Sequence, residues 1–80
     1  MLDEKVMIHG QEWLYSDIEK EVSWCKALVW DYQQYLKEND HEHCVICYWT
    51  IFKTHDVVSG FAYSANGHWI CQECFDYFIK

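Results

Sequence analysis

Two Cys-x-x-Cys pairs constrain this chain more than any other feature. Cys44 and Cys47 lie in "HCVIC", and Cys71 and Cys74 in "WICQECF", with 23 residues between the pairs. A structural zinc site takes four ligands at tetrahedral corners, with sulfur at about 2.3 Å. Two residues between cysteines let one tight turn present both sulfurs to a single ion. The gap is somewhat longer than the roughly 15–20 residues of the simplest four-cysteine template. Other chemistry uses the same residues. Disulfides need an oxidising compartment, and a fifth cysteine, Cys25, makes the total odd. A redox Cys-x-x-Cys belongs in a βαβ context, which neither pair has. Iron–sulfur ligation employs thiolates too and stays open beside zinc. The reading is one structural zinc ion on Cys44, Cys47, Cys71 and Cys74. Four thiolates close the coordination sphere and leave no position for a reactive water. With the ion they carry a charge of about −2 by counting ligands. His41 and His43 flank the first pair as rival ligands. His9 reads as a turn residue, and His55 and His68 as surface residues.

Such a staple suits the length. Eighty residues make one domain, 1–80, close to the size at which a hydrophobic core alone rarely suffices. With 51% hydrophobic and 19% aromatic residues, the composition is that of a folded domain and not of a disordered tail. No apolar run reaches the ~18 residues of a membrane span. The first residues, "MLDEKVMIHG", are acidic and lack the apolar stretch of a secretory signal, so the expected location is cytoplasmic.

Three blocks follow one another without a linker. In "KVMIHGQEWLYS" two apolar runs flank His9-Gly10, which predicts a hairpin over 5–15 with glycine supplying a positive φ. Ser16 then reads as a helix N-cap, with Glu19 completing a capping box. Ile18, Val22, Cys25, Val29, Tyr32 and Leu36 recur at steps of four and three, so a long amphipathic helix is expected over 16–38. Cys25 lies on its core stripe as a small hydrophobe. Trp30 falls among Lys26, Lys37 and Glu19 on the polar side. It is either an anchor for a partner or covered by another part of the domain. In the last block "YWTIFKT" reads as a strand, "FAYSANGHWI" as a hairpin turning at Asn66-Gly67, and "CQECFDYFI" as a short terminal helix. The fold class is therefore α+β: a hairpin, a long helix, and a zinc-binding ββα unit over 43–80.

The order of that last block, a Cys-x-x-Cys turn, a hairpin, then a Cys-x-x-Cys entering a helix, resembles the treble-clef zinc finger. Cys44, Cys47, Cys71 and Cys74 carry the likeness, which covers about half the chain. The fold group hosts protein-binding modules, nucleic-acid binders and nucleases, so the resemblance implies a zinc fold and no single function. A nuclease of this group needs a His general base on the hairpin and a second His or Asn in the helix. "THD" at 54–56 and "NGH" at 66–68 have the wrong order, and "CQECFDYFIK" contains neither residue. A zinc deaminase needs Pro-Cys-x-x-Cys, and this chain has no proline. No nucleophile constellation is recognisable either, so no enzyme activity is expected.

Charge narrows the choice of partner. Thirteen Asp and Glu face six Lys and no Arg, a formal net charge of −7. Nucleic-acid binders need a basic footprint, so binding to nucleic acid is not expected. The acid surplus sits in the first 43 residues and would attract a basic protein surface, if it is more than a solubilising coat. Short, acidic, aromatic-rich make-up is also similar in type to small bacterial immunity and antitoxin proteins, though no motif is shared. The expectation is a zinc-stabilised protein-binding module, an immunity-type inhibitor of a basic toxin or nuclease. Trp30, Asp31, Glu38, Asp40 and Glu42 are the candidate contacts. The alternatives are a nucleic-acid-associated zinc ribbon in transcription or translation, and a small subunit of a larger assembly.

Overall fold

The computed structural model describes residues 4–80. Strands β1 (Lys5–Ile8) and β2 (Gln11–Leu14) pair antiparallel, Val6 opposite Trp13. His9 and Gly10 turn between them with φ of 50° and 76°, the pair of positive values a type I′ turn demands. Only Val6 and Ile8 of β1 are buried, which fits a strand with one face on a core.

Helix α1 (Tyr15–Lys26) starts directly from β2. Ser16 is not its cap. The Tyr15 N–H donates to the Glu4 carbonyl at 2.8 Å, so hairpin pairing carries the chain into the helix and puts Leu14 at the N-cap. Ser16 therefore falls inside the first turn. Ile18, Val22 and Cys25 form the buried stripe as expected.

The stripe stops there, and so does the helix. The expected helix over 16–38 ends at Lys26, twelve residues short of Glu38. Ala27 and Leu28 donate their N–H groups to Trp24 and Cys25, the tight bonds of a last turn. The Trp30 indole then donates to the same Cys25 carbonyl at 2.8 Å. That carbonyl would have taken the Val29 N–H had the helix continued. The β-branched and aromatic residues beyond it favour extended backbone. Asp31–Gln34 forms strand β3, placed against β6 (Phe61–Ala65) with Tyr32 opposite Tyr63. Consequently Val29, Tyr32 and Leu36 of the supposed stripe are exposed.

After a turn at Asn39, whose φ is 58°, β4 (His41–His43) pairs with β5 (Thr50–Phe52). Helix α2 (Val57–Gly60) follows, capped by the Asp56 carboxylate on the Val58 N–H. It leads into β6, and β6 turns at Asn66-Gly67 (φ 50° and 82°) into β7 (His68–Ile70). The three-stranded sheet has the order β3-β6-β7. A short α3 (Gln72–Cys74) continues as a π-helical stretch over Phe75–Ile79. The Gln72 amide ties it to the carbonyls of Val57 and Phe61, and Phe75 stacks on Tyr63 at 3.7 Å.

The result is an α+β domain with three small sheets. Its main core joins the two halves of the sequence: Val6, Ile8, Ile18, Val22 and Cys25 pack with Ile46, Ile70 and the four paired cysteines. A satellite core of Tyr35, Ile51 and Ala62 lies between the β4-β5 hairpin and the three-stranded sheet. Among the described residues, no helix is long and apolar enough to cross a membrane.

Gly60 marks a close approach, because a Cβ there would lie 2.3 Å from the Thr54 carbonyl oxygen. Gly60→Ala should therefore lower the unfolding free energy by about 1–3 kcal/mol, read from urea denaturation of the metal-loaded chain.

Candidate metal centre

Cys44 and Cys47 sit on the loop that joins β4 to β5. Its closing bonds run from the Cys44 N–H to the Trp49 carbonyl (2.8 Å) and from the Tyr48 N–H to the Cys44 carbonyl (2.9 Å). Tyr48 takes a φ of 63°, the left-handed value needed to bring the chain back to β5. Two intervening residues suffice because this turn aims both sulfurs inward. The second pair is built differently. Cys71 is the N-cap of α3, and Cys74 lies one turn on, where its N–H donates to the Cys71 sulfur at 3.4 Å. The two pairs are joined by the Val45 N–H, which donates to the Trp69 carbonyl at 3.0 Å. β7 thus delivers Cys71 directly beneath the first loop.

The four sulfur atoms lie within 4.8 Å of one another, and all four residues are buried. A tetrahedron with metal–sulfur bonds of about 2.3 Å has edges of about 3.8 Å. Cys47 and Cys71 are 3.6 Å apart, close to that edge and far from the roughly 2.05 Å of a disulfide. None of the five cysteines is joined in a disulfide. The donor set and spacing fit one metal ion and are compatible with zinc.

Electrostatics point the same way. Hydrogen bonds from Cys47, Cys71 and Cys74 hold the Cys44 thiol far below its ordinary value. The partners bear the cost: hydrogen bonding to Cys44 and Cys47, reinforced by burial, pushes Cys71 and Cys74 up. Sulfurs this crowded resist ionising together without a cation between them. Metal uptake therefore expels the remaining protons, and retention should weaken as pH falls. Cys25 stands apart. Burial, with Cys44 and Glu21 nearby, raises it to about 11, so it remains a thiol at neutral pH.

No histidine joins this set. His41 and His43 meet edge to face at 4.9 Å on β4, while His9 stacks on Trp49 at 3.8 Å. His9 also anchors the first hairpin, its backbone N–H donating to the Glu73 carboxylate beside Cys74. That contact joins residues far apart in the chain, and nothing in their local sequence announces it.

The candidate partner residues are placed less uniformly. Trp30 is not an exposed anchor on a helix; it is half-buried against the main core. Asp31 is exposed on β3. Glu38 is exposed and pairs with Lys53 at 2.9 Å. Asp40 is exposed and accepts from the His41 N–H, and Glu42 is half-buried on β4.

Compared with known proteins, the chain matches no family model, no curated protein and no solved structure. The fold and site define it at the level of class, as a small α+β domain built around a four-cysteine metal centre.

Two measurements check this centre. Iodoacetamide at pH 8 should leave all five cysteines of the native metal-loaded chain unmodified and label all five after chelation and unfolding. Native mass spectrometry should find one metal ion per chain, retained in Cys25→Ala and lost when Cys71 and Cys74 are both replaced by Ser. Tyr48→Gly relieves a left-handed aromatic residue with little packing to lose. It should stabilise the chain by up to about 1 kcal/mol.

Proposed function

We propose that this chain is a zinc-stabilised, non-catalytic protein-binding module, with a treble-clef-like C-terminal half, that acts as an immunity-type inhibitor of a basic partner. The observation that carries the reading is the closed set of four buried sulfurs. With every ligand position taken by protein, the metal's contribution is rigidity, and function passes to the surface around it. The order of knuckle, hairpin and helix-borne cysteine pair supports the treble-clef comparison. The acid surplus supports a basic partner, by steering and by pairing with the cations a nuclease turns toward phosphate.

A second reading has one observation in its favour. Val29, Leu36 and Tyr48 are large side chains left 86, 65 and 71% exposed. A permanent subunit of a larger assembly would cover them. A nucleic-acid ribbon has no comparable support, because the charge has the wrong sign.

The test is calorimetric titration of the zinc-loaded chain with a basic protein encoded beside it. Binding is expected at low salt and should weaken markedly at about 0.5 M salt, where screening is short-ranged. Absence of binding at low salt, or tighter binding to mixed-sequence DNA or RNA, overturns the proposal.

A further inference from the structure

The two edges of the three-stranded sheet differ. On β7 the outward-facing Trp69 carbonyl is taken by the Val45 N–H of the cysteine loop. On β3 no backbone group outside the sheet pairs with the strand, among the described residues. The register shows which groups are left. Tyr35 donates its N–H to the Gly60 carbonyl, so Gln33 and Asp31 share its direction and bond to β6. The N–H and C=O groups of Tyr32 and Gln34 therefore point outward, with nothing on them.

Beside this edge lies a cavity of ≈ 380 Å³ whose lining includes Gln33, Tyr35, Lys37, Glu42 and Trp69. Tyr35 is 2% exposed, and its hydroxyl is buried without a hydrogen-bond partner. Leaving such a group unpaired is costly, and here it adjoins the cavity. Gln33 spends its amide nitrogen on the Ser64 hydroxyl, which leaves its carbonyl oxygen as an acceptor. Glu42 adds a carboxylate, and the Trp69 indole, edge-on to Tyr35 at 5.3 Å, offers an aromatic wall. Burial, with Asp40 and Glu42 nearby, disfavours ionisation of the Tyr35 hydroxyl. An aromatic wall and several acceptors match a planar head that only donates, and the one cation in the lining, Lys37, is exposed and free to swing away.

We propose that β3 is the docking edge for an extended segment of a protein partner, which adds a fourth strand to the sheet and lays an arginine side chain into the cavity beside Tyr35. Backbone pairing with Tyr32 and Gln34 supplies the attachment, and the cavity supplies the choice of side chain. This deepens the protein-binding reading and rests on it.

The probe is a short fluorescein-labelled peptide rich in Val and Thr with a central Arg, titrated into the zinc-loaded full chain. Fluorescence anisotropy should show binding, and the Tyr32 and Gln34 amides should gain protection from hydrogen exchange. Citrulline in place of Arg, or N-methylation of the peptide's β3-facing amides, should each weaken binding by about three- to tenfold or more. Gln34→Pro removes an outward donor without touching a β6 bond, and should weaken binding similarly. Tyr35→Phe should weaken binding while leaving the free chain at least as stable, which a merely structural hydroxyl would not do.

Equal binding of the parent and N-methylated peptides overturns the proposal. So does absence of binding with the metal centre intact, or protection of β3 in a peptide-free dimer, which would make a second copy the occupant. If a basic protein binds the chain and Gln34→Pro leaves that affinity unchanged, the edge proposal fails while the protein-binding reading stands.

Discussion

Four polar atoms at the centre of an apolar core would ordinarily be a defect. Here Cys44, Cys47, Cys71 and Cys74 are buried and crowded, and a cation reconciles those properties with a stable interior. The remainder is arranged around that requirement. The cysteine loop is held by bonds to Trp49 and Trp69, α3 begins at Cys71 so that a helix start faces the sulfurs, and the first hairpin and α1 close over the cluster. A chain of this length has little apolar surface to spare, and placing the metal inside the main core lets one set of side chains serve both ends of the sequence.

Short-range chemistry was readable from the residues. Asn66-Gly67 and His9-Gly10 set their turns because few residues accept positive φ, and the paired cysteines announced their cluster because ligand geometry fixes the spacing. The helix ends well before its apolar period does, for a physical reason. Val29, Tyr32 and Leu36 continue a helical period, but Val and Tyr also favour a strand, and the decision came from β6 and from the Trp30 indole reaching Cys25. The pairing with β6 is not local, so periodicity could not reveal it. The surface changes with it. Trp30 moved inward, while Asp31 became part of a strand edge and Glu42 part of a cavity wall.

Among the described residues, His9, Trp13, Tyr35 and Trp49 each bury a polar side-chain atom without a partner. Tyr35 is buried beside a cavity on the β3 edge, which among the described residues takes no backbone bond from outside the sheet, whereas the opposite edge takes one from the cysteine loop. An edge left open on a strand that carries only four residues limits accidental self-pairing while leaving room for a dedicated partner. The metal centre and this edge are thus linked through β6 and β7, so the rigidity of one fixes the shape of the other.

The His9–Glu73 contact spans 64 positions of the chain. During synthesis, the first hairpin and α1 emerge before Ile70, Cys71 and Cys74, the residues their apolar face packs against. Ordering of this core must wait for the second cysteine pair, since interactions between distant segments form late and slowly. A nascent chain stalled before that point would be a sticky, metal-naive species and a natural client for a chaperone.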